Sequence, residues 1–390
     1  MHELVLEFVR AAPQPLALLR SPLDDGALVA AFDSGPRWFA KTAAGLRACN
    51  RLRAESAALV ALEPWAAPLG VPRLLAWREA DRGDDRVVSG GGQIEVEGPG
   101  PACLPCIAPN GAKQGGPDPS LASNVPVPPL DRSRSRPGAG DLQEPSRAQP
   151  PEKRRAASCL IQSAVPGFAR PWRWSGGTAP LPPGLDQALA WLQHFQACRL
   201  PHAPWPAITL GQLAETVLAH RARHLAAHPQ WASLLAAIPE SLLVPPPDVA
   251  DQPAAPVHGD FWAGNILFSG SRRAPVVAVI DWSGFAPGTR FHDILTLFAN
   301  LPCATTRARS WQVVFFTPGR ARQALARWAQ RLGATPAYAR WAFYLFAQQR
   351  MAWELGLDLQ TRSPAERAQA ELHWRALTAL LAASSFPSPL

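Results

Sequence analysis

The chain has 390 residues, 47% of them hydrophobic, which is enough for two lobes with real cores. Its formal charge of +8 comes from Arg scattered along helical stretches, so no single basic tract marks a nucleic-acid binder. No run of about 18 apolar residues is present, which excludes the sequence pattern of a membrane-spanning helix.

The 43 Pro stand well above a usual share of about 5% and predict a loop-rich segment. Six Cys follow no regular framework, and Cys103 and Cys106 form a lone CxxC without a second ligand pair. Residues 1–7 lack a basic stretch followed by a long apolar one, so a reduced, cytoplasmic setting is expected.

In chain order, 16–20 and 27–32 read as strands around a turn holding Asp24 and Asp25. Asp33-Ser34-Gly35-Pro36 is a hairpin signal, and 37–42 reads as a third strand. Lys41 lies in that strand, in a chain that uses Arg far more than Lys. The segment around Leu52, Leu59 and Leu62 has helical spacing, carries Glu55 and ends at Pro64. Residues 70–77 read as a fourth strand. From 79 to 155 Gly, Pro, Ser, Asp and Arg dominate and no period persists, so a disordered insertion is expected. A fifth strand resumes at 156 and runs into Pro166-Gly167.

Further on, Leu185, Leu189, Leu192 and Phe195 line one helical face. Thr209 and Gln212 resemble a capping box for a helix to about 225, and another helix is expected over 230–237. Residues 301–390 read as helical and Trp-rich, with helices over 321–332, 337–355 and 365–383, the last started by Ser363-Pro364-Ala365-Glu366.

The chemistry sits at 257–281. His258-Gly259-Asp260 is followed five residues on by Asn265, then a short apolar run, a turn at 269–272 and a second apolar run ending on Asp281. That reads as a hairpin with polar groups at its mouth. Phosphoryl transfer needs one carboxylate for the attacking hydroxyl, and an amide oxygen with a second carboxylate for Mg²⁺ on the phosphates. The kinase signatures H-R-D-x-x-x-x-N and D-F-G have this order and these roles. A surface loop with Asp and Asn as turn formers is the bland alternative, and it leaves the joint occurrence of spacing, strands and Asp281-Trp282 unexplained.

His258-Gly259-Asp260-Phe261-Trp262-x-Gly264-Asn265-Ile266-Leu267, followed by Val279-Ile280-Asp281-Trp282, resembles the aminoglycoside phosphotransferase-like superfamily, which includes choline, homoserine and fructosamine kinases. The segment from Asp281 through Ala286, Gly288 and Asp293 is similar to a further motif of that group. The resemblance implies an α+β fold, bilobal and protein-kinase-like. Residues 1–78 and 156–165 would form a small antiparallel-sheet N-lobe, and 166–390 a larger helical C-lobe with the catalytic loop.

It also implies an ATP-dependent phosphotransferase with an alcohol group as acceptor, using ATP and Mg²⁺. Asp260 would be the base, Asn265 and Asp281 the metal ligands, and Lys41 the phosphate contact, with Glu55 positioning Lys41. Gln162, Ala164 and Val165 would read the nucleotide base through their main chain. Asp293 would orient the loops and His258 would organise them through hydrogen bonds. His292 reads as a surface residue at a helix start. The Gly-rich phosphate loop of protein kinases is absent between the first two strands.

The expected partners are a nucleotide and a small-molecule hydroxyl substrate, with neither nucleic acid nor membrane. Residues 301–350 hold no Asp or Glu and many Arg, which disfavours a polycationic acceptor in that stretch. Trp328, Trp341, Trp353 and Trp374 would either cage a quaternary ammonium or form core. A nucleotide-binding pseudokinase without transfer activity is the alternative function.

Overall fold

The computed structural model describes residues 16–20, 27–32, 36–43, 46–78, 158–163, 165, 167–169, 172, 174–198, 205–270, 275–301, 307–357 and 363–383. The expected 79–155 insertion, Asp24, Asp25, Ala164, Cys103 and Cys106 lie outside the described residues.

Five strands build one antiparallel sheet. They are β1 (Leu16–Arg20), β2 (Ala27–Phe32), β3 (Pro36–Ala43), β4 (Leu74–Arg78) and β5 (Ser158–Ser163), in the order β1-β2-β3-β5-β4. In β3 the period of two puts Trp38 and Ala40 on one face and Phe39, Lys41 and Ala43 on the other. Lys41 pairs across the ladder with Leu28 and Leu160.

Helix α1 (Leu46–Leu62) packs on β3, β4 and β5. Its buried stripe runs Leu52, Glu55, Leu59, Leu62, at helical spacing. A carboxylate inside an apolar stripe is tolerated only when it is paired.

The expected fourth strand begins late, at Leu74. The residues before it form a 3₁₀ turn (Glu63–Trp65) and a one-turn helix (Ala66–Leu69) closed by Gly70 at φ 61°. A Cβ at Gly70 would stand 3.0 Å from Val277 O, so the chain needs glycine there for both conformation and close approach.

The rest is mainly helical: α2 (Leu185–Ala197), α3 (Leu210–Ala227), α4 (His292–Ala299), α5 (Arg320–Arg331), α6 (Pro336–Leu355) and α7 (Pro364–Ala383). The Thr209–Gln212 capping box is present in both directions, at 3.2 and 2.9 Å. Ser363 and Glu366 make a second one, at 3.2 and 2.8 Å.

Two helical expectations change. The 230–237 helix is a 3₁₀ turn (Pro229–Trp231) and a one-turn helix (Ala232–Leu235), too short to continue before Pro239. A further helix (Arg307–Trp311) runs into a π-turn (Gln312–Phe316), which its short apolar run did not announce. Among the described residues no helix is long and apolar enough to cross a membrane.

Two small antiparallel sheets frame the central loop. Strands β6 (Phe168–Ala169), β8 (Ile266–Gly270) and β9 (Pro275–Val279) form one, in the order β6-β8-β9. Strands β7 (Ala255–Val257) and β10 (Ala286–Gly288) form the other. One continuous apolar cluster runs from Leu52 and Leu160 through Trp191, Phe261 and Trp282 to Trp311 and Trp374.

Candidate active site

Residues 258–265 leave β7 and enter β8, and Asp281 follows β9, so the two small sheets bring Asp260, Asn265 and Asp281 to one end. Ile280 N donates to Asn265 O at 3.0 Å, tying the Asp281 end of β9 to the loop. Asp260 is fully buried, and Asn265 Nδ2 donates to its main-chain oxygen at 2.9 Å and to its Oδ2 at 3.0 Å. With its donor group committed to Asp260, the Asn265 amide oxygen is the group left for a cation.

His258 locks this loop. Asp260 N donates to His258 Nδ1 at 3.2 Å, so Nδ1 must be the unprotonated nitrogen. Nε2 then donates to Ile280 O at 3.0 Å. Burial drives the His258 pKa down to about 4, against the opposing pull of Asp281, so the ring is neutral near pH 7.

Asp293 accepts from His258 N at 2.7 Å and from Gly259 N at 2.9 Å. Burial raises its pKa to about 7, and these two N–H bonds oppose the rise. Gly259 has φ 83°, and a Cβ there would run into Gly284 O, so the loop closes on the 3₁₀ turn Trp282–Gly284 only with glycine.

Asp281 holds φ 63°, the one non-glycine residue at positive φ among those described. A non-glycine residue held there is strained, and such strain concentrates at functional sites. Ser283 Oγ donates to Asp281 Oδ1 at 2.9 Å, and Arg51 Nη2 stands 3.8 Å from Oδ2. Burial would raise the Asp281 pKa, but Lys41 and Arg51 outweigh it and hold the carboxyl below its ordinary value.

On the sheet above, Lys41 Nζ donates to both oxygens of Glu55, at 2.7 and 2.8 Å. The Lys41 side chain keeps 25% of its surface exposed, while Glu55 keeps 2%. Burial lowers the Lys41 pKa, and the carboxylates of Glu55 and Asp281 more than reverse it, so the ammonium is held charged. Helix α1 packs on the Trp282–Gly284 turn, which joins the Lys41–Glu55 pair to the Asp281 loop.

An aromatic floor lies beneath. Phe261 stacks on Trp191 with centroids 5.6 Å apart, and the His258 ring meets Trp282 edge-on at 4.6 Å. Trp282 Nε1 donates to Val279 O at 3.0 Å.

Of the expected base-reading residues, Gln162 is buried in β5, and its Oε1 has no hydrogen-bond partner among the described residues. Val165 is half-buried, and Ala164 lies outside the described residues.

His292 corrects the expectation of a surface residue. It is buried, its ring lies edge-on to Phe346 at 5.4 Å, and burial and Arg350 push its pKa down to about 4. All of α4 is buried, so its first turn has no solvent face. Trp328, Trp341, Trp353 and Trp374 are all buried. Trp341 donates to Leu243 O at 2.9 Å and Trp374 to Glu354 Oε2 at 2.9 Å, so these two are core anchors and not cage walls.

Arg51, Ser283 and Trp191 also stand at the site, beyond the residues that the sequence motifs mark. Arg51 lies four residues before Glu55 on α1, a spacing that puts both on one face and would have pointed to it.

The model of a phosphotransferase enzyme family matches residues 185–344, which holds the 258–265 loop, Asp281 and the helices around them. Among solved structures, the GDP and kanamycin complex of APH(2")-IIia is similar over 97% of each chain, at 10% identity and a TM-score of 0.53. A thermostable mutant of aminoglycoside phosphotransferase APH(4)-Ia, in a ternary complex with ADP and hygromycin B, is similar over 98% of this chain and 99% of that one. Its identity is 12% and its TM-score 0.52. No curated protein matches the sequence.

Proposed function

From the assignment of this chain to the aminoglycoside phosphotransferase-like superfamily, which the family match and the shared fold support, we propose that it is an ATP-dependent phosphotransferase acting on a hydroxyl of a small molecule. The observation that carries the reading is the Lys41–Glu55 clamp, 2.7 and 2.8 Å long, facing an Asp281 whose charge Lys41 and Arg51 sustain. A cation held charged beside a carboxylate held ionised suits a metal–phosphate group between them.

In this reading the five-stranded sheet and α1 form one lobe, from 1–78 and 156–165, and the helices of 166–390 form the other. Residues 79–155 interrupt the first lobe. The main chain at Gln162, Ala164 and Val165 reads the base, and Lys41, set by Glu55, holds the phosphates.

The donor set at the loop mouth suits Mg²⁺. Asp281 offers a carboxylate and Asn265 an amide oxygen, both hard oxygen ligands. Mg²⁺ takes few protein ligands and completes its shell with phosphates and water. Among the described residues no three His, Cys, Asp or Glu side chains are grouped to hold a metal by themselves. When bound, the ion neutralises charge on the transferring phosphoryl group.

Asp260, held by Asn265 Nδ2, orients the acceptor hydroxyl and takes its proton. The acceptor oxygen forms a bond to the γ-phosphorus as the bond to the ADP oxygen breaks. His258 is neutral and fully used in hydrogen bonds, so it shapes the loop and does not carry the proton.

A thermal-shift assay with Mg·ATP, paired with ADP release in the presence of hydroxyl acceptors, tests this reading. Wild type is expected to be stabilised and to turn over. Asp281→Asn should lose most of the Mg·ATP shift, with turnover down by about 10²–10³-fold. An undiminished shift and rate in Asp281→Asn would refute the assignment of Asp281 to the metal.

A further inference from the structure

A cavity of ≈ 80 Å³ lies between α3, α4 and α6 and reaches Gly259, the residue before Asp260. At about 10–15 Å³ per water-sized group, it has room for several non-hydrogen atoms of a small ligand. Its lining is basic and neutral. His220, Arg221 and His224 come from α3, His292 from α4, and Gln348 and Arg350 from α6, and among the described residues no Asp or Glu lines it.

Two of these side chains have polar atoms that no described residue satisfies. Gln348 is only 2% exposed, and neither its Nε2 nor its Oε1 has a hydrogen-bond partner among the described residues. Arg221 is 7% exposed, and its Nη1 is buried without one. Buried polar groups are nearly always hydrogen-bonded, so two such groups in one cavity call for a ligand that bonds them.

The charges around the cavity separate these groups further. Arg350 is spent internally, its Nε donating to Glu354 Oε1 at 2.7 Å. Glu354 also takes Trp374 Nε1 at 2.9 Å and faces His373 at 3.8 Å. Among the described residues Arg221 has only the through-space pull of exposed Glu240, against the cost of its own burial. It is therefore the cavity's cation with the least internal compensation. An ammonium-rich ligand would be repelled there, whereas an anion would be bonded.

We propose that the acceptor is an anionic hydroxyl compound, its carboxylate or phosphate bound by Arg221 and Gln348 and its hydroxyl turned toward Asp260. This rests on the phosphotransfer reading above and specifies its substrate class. The transfer is balanced as before: the acceptor hydroxyl loses its proton to Asp260, gains the γ-phosphoryl group and releases ADP.

The test uses the full chain with Mg·ATP and five probes: glycerate, glycerol phosphate, glycerol, ethanolamine and kanamycin. ADP release above the water background is measured for each. Stimulation at least ten-fold stronger by glycerate or glycerol phosphate than by the other three supports the inference. Which of those two is better identifies the anion as carboxylate or phosphate. A neutral or cationic probe as best acceptor, or no stimulation by any probe, overturns it.

Two variants separate recognition from folding. Gln348→Met keeps side-chain volume and removes amide atoms that bond none of the described residues, so its melting temperature should hold or rise. The acceptor KM should rise at least ten-fold while the KM for Mg·ATP stays within two-fold. Arg221→Gln should do the same, with partial recovery in Arg221→Lys. An unchanged acceptor KM in both Gln348→Met and Arg221→Gln contradicts the proposal. Slow ADP release on water that Asp281→Asn abolishes separates failure of this inference from failure of the phosphotransfer reading, because a chain that only binds nucleotide shows Mg·ATP stabilisation without that release.

Discussion

The two ends of the site treat charge in opposite ways. Around Lys41 the charges answer one another: Lys41 grips Glu55, Arg51 faces Asp281, and Ser283 bonds the same carboxylate. In the cavity between α3 and α6, Arg221 Nη1 and both amide atoms of Gln348 are buried with no partner among the described residues. A network that satisfies itself is preorganised and pays little reorganisation when its ligand arrives. A set of unsatisfied groups is completed only by a ligand of matching chemistry, which suits selection among acceptors.

The sharpest way to break this contrast is to unpair the Lys41 end. Lys41→Met leaves the Glu55 carboxylate alone in the apolar stripe of α1, and a loss of about 3–5 kcal/mol in urea denaturation is expected. Lys41→Met combined with Glu55→Leu should recover most of that stability and none of the turnover. A single variant as stable as wild type would mean that Glu55 does not depend on Lys41.

A middle-sized effect concerns pH. His258 and His292 are both held near 4 in the fold, against 6.5 ordinarily, so unfolding between those values takes up a proton at each. Their contribution is complete above pH 6.5 and is lost as pH falls toward 4. Asp293 stands at about 7 against 3.8, so it releases a proton on unfolding across the same window and cancels one of the two. From these three groups stability should fall by about 1.4 kcal/mol per pH unit on acidification from 6.5 to 4. His292→Gln removes one histidine and should flatten the slope toward zero. A slope of opposite sign in wild type would count against the buried neutral histidines.

The smallest effect belongs to Arg51, which is partly exposed and 3.8 Å from Asp281. Arg51→Gln should cost about 0.5 kcal/mol in urea denaturation, and less in high salt. A loss above about 2 kcal/mol would mean that this cation, and not Lys41, is the main support of Asp281.

The sheet and the loop were legible in the sequence for local reasons. Strands β1, β2 and β3 were bounded by turn residues, the Thr209–Gln212 box was a short-range pattern, and Asp260, Asn265 and Asp281 were set by spacing along one hairpin. Lys41 stood out by its rarity and its strand, and the spacing that gave α1 an apolar stripe also carried Glu55.

What stayed hidden depends on long-range assembly. His292 looked exposed because nothing local shows that α4 is covered on every side. Strand β4 looked longer because the Gly70 conformation answers to Val277 across the chain. Arg221 and Gln348 are 127 residues apart in sequence by their numbers, and only the packing of α3 against α6 makes them neighbours of one cavity.

Asp260→Asn tests the central claim most directly. The substitution keeps the shape of the side chain and removes its capacity to take a proton. Mg·ATP stabilisation should be retained while acceptor-dependent ADP release falls by about 10²–10⁴-fold. ADP release at the wild-type rate from Asp260→Asn would contradict the account.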